Sequence, residues 1–128
     1  MANILFVDDD RDLADAFGEL MRSNGHVVRT ACNGQDGLSL LRSAPFPDVV
    51  VLDVDMPILD GPGMAHQMLL HNAGEEKIPV VLVSASSQLA RIAGRMGTPY
   101  FLAKSGDMRA FSALLDRAIR ERVAPSRA

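Results

Sequence analysis

The chain predicts a doubly wound α/β domain: five parallel strands in the order 2-1-3-4-5, with helices on both faces of the sheet. Three observations predict it. Short apolar runs alternate with helix-period segments five times over. The runs are continuous rather than alternating, with Ile4 to Val7, Val49 to Leu52 and Pro79 to Val83 free of polar residues, as in strands buried on both faces. Such units must be joined by right-handed crossovers, which leaves few topologies.

The elements follow in order. Ile4 to Val7 is the first strand, ending in Asp8-Asp9-Asp10. Leu13, Phe17, Leu20 and Met21 then form the buried stripe of a helix that Asn24-Gly25 stops. His26 to Ala31 is a second strand, broken by Asn33-Gly34. Leu38, Leu40 and Leu41 mark a second helix that ends before Pro45. Asp48 to Asp53 is the third strand. Pro57, Gly61, Pro62 and Gly63 make a loop in which Gly61 is expected to supply backbone freedom. Met64, Met68 and Leu69 suggest a third helix ending near Asn72-Ala73-Gly74. Pro79 to Val83 is the fourth strand, ending at Ser84, and a short helix spans Leu89 to Met96. Tyr100 to Leu102 is the fifth strand, ending near Lys104. Met108, Phe111, Leu114, Leu115, Ala118 and Ile119 give the stripe of the last helix. This is the flavodoxin-like arrangement, expected over residues 1–123 with a short polar tail at 124–128.

Composition sets outer limits. The 128 residues suit one domain, and 48% hydrophobic with 23% charged is ordinary for a globular chain. The net charge is −3 and no basic stripe stands out, so no direct nucleic-acid partner is expected. A single cysteine, Cys32, excludes an internal disulfide and a cysteine zinc site. The N-terminal apolar run lacks a basic leader, and no run reaches the length of a membrane span. A cytoplasmic protein without membrane contact is expected.

In such a sheet, ligands sit beyond the carboxyl ends of the strands, where the strand order reverses. The first strand delivers Asp8 and Asp9 there, the third Asp53, the fourth Ser84 and the fifth Lys104. Carboxylates gathered this closely repel one another and raise each other's pKa. A hard divalent cation removes that repulsion; Mg²⁺ prefers oxygen ligands and keeps room for a phosphoryl oxygen. Lys104 can hold a second phosphoryl oxygen as a point charge, and Ser84 can donate to a third. Asp53, between the acidic pair and the lysine, is the natural nucleophile for an aspartyl-phosphate.

These residues resemble a response-regulator receiver domain, CheY-like, over about residues 3–122. The matching pieces are Asp8-Asp9, Asp53 with Met56-Pro57, Asp60-Gly61, Ser84-Ala85 and Lys104. The resemblance implies that Asp53 is the phosphoacceptor. It implies a metal site of Asp8, Asp9, Asp53 and the Asp55 backbone carbonyl, taking Mg²⁺ or Mn²⁺. Ser84, Ala85 and Lys104 would bind the phosphoryl group, Ser84 and Phe101 would be the switch pair, and Asp55 and Ser86 would tune the hydrolysis rate. Implied partners are a histidine kinase or histidine phosphotransfer protein. A downstream protein would dock on the fourth helix, fifth strand and fifth helix, and homodimerisation stays open. Such a domain promotes only its own phosphorylation and dephosphorylation and is not otherwise an enzyme. It would be either a stand-alone phosphorelay component or a piece of a longer regulator. Ser105 stands where the family usually has proline after the lysine. The Lys104–Ser105 peptide is expected to be trans, because a non-proline cis bond costs about 2.5–4 kcal/mol.

Plainer roles compete for several residues. Asp10 is expected to cap the first helix, and Cys32 to be a small, partly buried residue. Phe101 could be plain core. His66 and His71, five apart, are poor co-ligands. The arginines at 91, 95, 109, 117, 120 and 122 read as solvated faces, with partner docking as the alternative. Three rival functions are weighed: a receiver-like docking module that is never phosphorylated, a haloacid-dehalogenase-type phosphatase using Asp53 and Asp55, and a calcium loop built on Asp8, Asp10, Asp12 and Glu19.

Overall fold

The computed structural model describes residues 2–43, 45–71, 78–104 and 107–123, with the side chains of Leu69 and His71 set aside. The expected helix end at Asn72-Ala73-Gly74, the peptide between Lys104 and Ser105 and the 124–128 tail lie outside the described residues. The elements alternate without exception. They are β1 (Asn3–Val7), α1 (Arg11–Ser23), β2 (Val27–Ala31), α2 (Gly34–Leu41), β3 (Val49–Leu52), α3 (Gly61–His71), β4 (Val80–Ser84), α4 (Leu89–Met96), β5 (Tyr100–Ala103) and α5 (Met108–Glu121). The strands form one sheet in the order β2-β1-β3-β4-β5, and every pairing is parallel. The predicted architecture is therefore the observed one.

The continuous apolar strands are explained by cover on both sides. Ile4, Phe6, Val49, Val51, Val81 and Val83 face α1 and α5, where they meet Phe17, Met21, Phe111 and Leu115. Their neighbours Leu5, Val7, Val50, Leu52, Val80 and Leu82 face the other way, onto Leu38, Met64, Met68, Leu89 and Ala93 of α2, α3 and α4. Phe17 joins the first layer, its ring 5.6 Å from Phe6 and 4.5 Å from Phe111, both tilted. Among the described side chains the helix stripes are borne out except at Met108, which heads α5 but is 40% exposed; Leu69, expected on the α3 stripe, lies outside them.

Helix ends follow from local chemistry. Asp10 is the N-cap of α1, its carboxylate accepting from the Leu13 N–H at 3.1 Å, as expected. Asn33, read from sequence as a strand breaker, is also the N-cap of α2 and accepts from the Asp36 N–H at 2.8 Å. Gly25 leaves α1 at φ +89°, a left-handed backbone that suits glycine. Because α1 begins at Arg11, residues 8–19 cannot form a cation-binding loop, and the calcium reading is excluded.

Candidate functional site

Strand register brings the polar residues to one rim. Val7 is paired with Leu52, Leu52 with Leu82, and Ser84 with Ala103. The next residues along β1, β3 and β5 are Asp8, Asp53 and Lys104, so they emerge side by side. The Asp53 N–H donates to the Val7 carbonyl at 2.9 Å and the Lys104 N–H to the Ser84 carbonyl at 3.0 Å, extending the sheet ladder under the site.

Asp8, Asp9 and Asp53 each offer a carboxylate oxygen within 4.8 Å of the others. Asp8 and Asp53 are buried, at 2% and 5% exposure, while Asp9 stands in solvent. The Lys104 ammonium bridges the buried pair, with Nζ 3.1 Å from Asp8 Oδ2 and 3.1 Å from Asp53 Oδ2. Asp53 Oδ1 accepts from the Val54 N–H at 2.8 Å, and Asp8 Oδ1 from the Asp10 N–H at 2.9 Å. Asp53 therefore has one oxygen fixed by the backbone and one turned to the lysine, whereas Asp8 Oδ1 also accepts from Lys104 Nζ at 3.4 Å.

Burial pushes the Asp8 carboxyl up, and the charge of Asp53 adds to it; the Asp10 N–H and Lys104 pull the other way, and the balance stands at about 6 instead of 3.8. Burial pulls Lys104 down, but the hydrogen bonds and charges of Asp8 and Asp53 together exceed that pull and leave it raised. The pair thus favours the lysine's charge, while the Asp8 carboxylate remains poorly stabilised. At Asp8 burial prevails, because one cation is shared between two acids. A second cation beside Asp8 and Asp9 would complete the neutralisation.

The remaining predicted residues fall as follows. Ser84 is buried, and its Oγ accepts from the Ser86 N–H at 3.1 Å. Ser86 Oγ accepts in turn from the Gln88 N–H at 3.1 Å, just before α4. Ala85 and Asp55 are exposed beside the rim. Phe101 is 40% exposed on the edge strand, so it is not plain core. Cys32 is partly buried in a cleft of about 300 Å³ that Asp8, Arg11 and Asp15 also line. His66 is exposed on α3.

Sequence reasoning misjudged the loop after β3. Gly61 shows no left-handed φ, so freedom is not its reason. Its N–H donates to the Val54 carbonyl at 2.9 Å, and a Cβ there would overlap the Asp53 carbonyl oxygen and stand 3.1 Å from Val54 Cα. Gly61 lets α3 abut the acceptor's own backbone. The unusual backbone is at Ile58, with φ +71° and a Leu59 N–H to Pro57 carbonyl bond of 2.8 Å, a γ-turn. Asp60 then caps α3 through the Gly63 N–H at 2.8 Å. The Asp60-Gly61 dipeptide was visible in the sequence; the close approach behind it was not.

A doubly wound sheet thus carries an acidic cluster, a bridging lysine and a buried serine at its carboxyl rim. The sequence profile of the response regulator receiver domain matches residues 4–116, and the chain belongs to that family. It is 40% identical to the response regulator MprA of Mycolicibacterium vanbaalenii over 91 residues, 71% of this chain and 38% of that protein. It is 39% identical to the protein PilH of Pseudomonas aeruginosa over 88 residues, 69% of this chain and 71% of that one. The chain thus spans well under half of MprA and most of PilH. A receiver domain from Clostridium thermocellum superposes with a TM-score of 0.82 at 23% identity, covering 95% of this chain and 97% of that one. A CheY-like receiver from Methanospirillum hungatei gives 0.83 at 18% identity, covering 95% and 96%. These two likenesses concern the fold. Among the described residues, no helix is long and apolar enough to cross a membrane.

Proposed function

We propose that this domain accepts a phosphoryl group on Asp53 from the phosphohistidine of a histidine kinase or a histidine phosphotransfer protein, within the cytoplasm. The observation that carries the reading is the position of Asp53 Oδ2, 3.1 Å from the Lys104 ammonium and beside the carboxylates of Asp8 and Asp9. Those oxygens, with the Asp55 carbonyl, fit Mg²⁺ or Mn²⁺ as hard-donor cations. When bound, the cation neutralises charge on the phosphoryl oxygens. Asp53 attacks phosphorus as the bond to the histidine nitrogen breaks, and the electron pair leaves with the imidazole. Lys104 holds one phosphoryl oxygen. Ser84 and the Ala85 N–H take others, and Asp55 and Ser86 flank the path of the hydrolytic water.

The switch follows from the partners given up. Ser84 Oγ exchanges the Ser86 N–H for a phosphoryl oxygen, and the exposed Phe101 ring moves into the space released. The population of the α4–β5–α5 face shifts, and a downstream protein reads it. The domain turns over no substrate besides its own phosphoryl group.

Mass spectrometry after incubation with a small acyl phosphate and Mg²⁺ tests this. One phosphoryl adduct is expected, absent with chelator and absent in Asp53→Asn. An adduct of equal yield in Asp53→Asn, or none in the wild type, overturns the reading; turnover of a generic phosphomonoester would favour the phosphatase rival instead.

A further inference from the structure

Tyr100, the first residue of β5, heads the fully buried side chains in size, yet it carries a hydroxyl. Its ring lies in the layer of Phe111, Leu115 and Ala118 of α5. Alternation along the strand puts the next residue, the exposed Phe101, on the opposite side. The Tyr100 hydroxyl donates to Glu121 Oε1 at 3.0 Å and accepts from the Val123 N–H at 3.3 Å. Arg117 completes the group. Its Nε lies 3.2 Å from the same Glu121 oxygen, and its guanidinium carbon 5.1 Å from the centre of the Tyr100 ring. The strand end of this contact is also fixed: Thr98 Oγ1 accepts from the Tyr100 N–H at 3.2 Å and donates to the Val80 carbonyl of β4.

Helix α5 ends on this group. Arg122 takes the left-handed conformation at φ +56°, and its N–H still bonds to the Ala118 carbonyl at 2.9 Å. The Val123 N–H, the first beyond that cap, goes to the tyrosine rather than to a helix carbonyl. Arg122 also reaches Asp48 at 3.7 Å, but that is a half-exposed surface pair of little strength. We propose that Tyr100 is a positioning residue that fastens the exit of α5 to the switch strand, so that movement at Phe101 is felt at Val123. The signal that moves β5 rests on the receiver reading; the fastening does not. Tyr100 and Phe101 share one peptide unit, so turning Phe101 inward rotates the plane from which the tyrosine projects. The hydroxyl sits at the far end of a rigid ring, where a small backbone rotation becomes a larger displacement. Hydrogen bonds tolerate little change in length or angle, so the hydroxyl carries Val123 with it or lets it go. Phenylalanine would fill the same core volume, which leaves the hold on Glu121 and Val123 as the hydroxyl's contribution.

Amide hydrogen exchange and chemical shifts, recorded by NMR on the full chain, test this with Tyr100→Phe. Without phosphorylation, the Val123 amide should exchange roughly three- to tenfold faster in the variant, the loss of one hydrogen bond. Val81 and Val83 in the sheet should keep their rates. After treatment with a small acyl phosphate and Mg²⁺, the Val123 resonance of the wild type should shift. In Tyr100→Phe that shift should largely vanish, while the shift at Phe101 and phosphoryl uptake on Asp53 persist. A merely structural tyrosine would leave the responses at both residues intact. If Tyr100→Phe misfolds, Glu121→Ala, at a side chain 41% exposed, removes the hydroxyl's acceptor and should blunt the Val123 response in the same direction. Equal Val123 exchange in wild type and variant, an undiminished Val123 shift in the variant, or a wild type in which Phe101 responds and Val123 does not overturns the proposal. A wild type that takes up no phosphoryl group sinks the receiver reading instead; faster Val123 exchange in the variant then upholds the fastening, and unchanged exchange overturns it.

Discussion

Asp8→Asn should stabilise the cation-free protein at neutral pH. Asp8 is 2% exposed and its carboxyl stands at about 6 rather than 3.8, so ionising it works against folding. The difference corresponds to about 3 kcal/mol at most, an order of magnitude set by roughly 1.4 kcal/mol per pH unit. The sign follows from proton linkage. A carboxylate raised by folding binds its proton more tightly in the folded state. The destabilisation is therefore complete above about pH 6 and fades as pH falls toward 3.8. Asparagine keeps the shape and removes the charge, although it also gives up the 3.1 Å pair with Lys104, which trims the gain. Urea unfolding with chelator present at pH 7.5, 5.5 and 4.0 reads it out. With a slope of about 1–3 kcal/mol/M, the midpoint should rise by at most about 1–3 M at pH 7.5, and the gain should shrink at each lower pH. Adding Mg²⁺ should stabilise the wild type more than the variant, by mass action on the folded state. A variant no more stable than wild type at pH 7.5 in chelator, or a gain that grows on acidification, would refute the reasoning.

Three further perturbations test other parts of the site. Lys104→Met leaves Asp8 and Asp53 without their shared cation and should cost about 1–3 kcal/mol at pH 7.5, measured by urea unfolding, with Asp8 titrating higher still by carboxyl NMR. Gly61→Ala places a methyl group against the Asp53 carbonyl and should cost about 2–3 kcal/mol in thermal melts while slowing acyl-phosphate labelling. Ile58→Asn loses little packing, since Ile58 is 82% exposed, and relieves a β-branched residue at φ +71°; a gain of about 1 kcal/mol is expected, and a loss would show that the turn is not strained.

Much of this molecule can be read from its order of residues. Apolar runs that stop at Asp8 and Asp53 place the ends of β1 and β3 to within a residue, because a buried strand tolerates a charge only where it leaves the sheet. The run from Val49 to Asp53 is the plainest case, and Asp10 as a helix cap needs only its neighbours. Relationships between distant backbones are a different matter. Whether Gly61 needs freedom or absence of a side chain depends on Asp53 and Val54 lying against it. Whether Phe101 is core or surface depends on how far α4 covers the edge strand. Met108 shares the helical period of Phe111 and Leu115, yet it remains 40% exposed.

Residue order by itself determined the strand-helix alternation, the sheet order and the set of chemical groups delivered to the rim, because each of these rests on local periodicity and on chirality rules that act along the chain. Only the tertiary structure decided that one ammonium is shared by two buried carboxylates, and that Gly61 abuts the Asp53 backbone. Those outcomes depend on distances of a few ångströms between segments as many as 96 residues apart, set by how whole helices pack against the sheet.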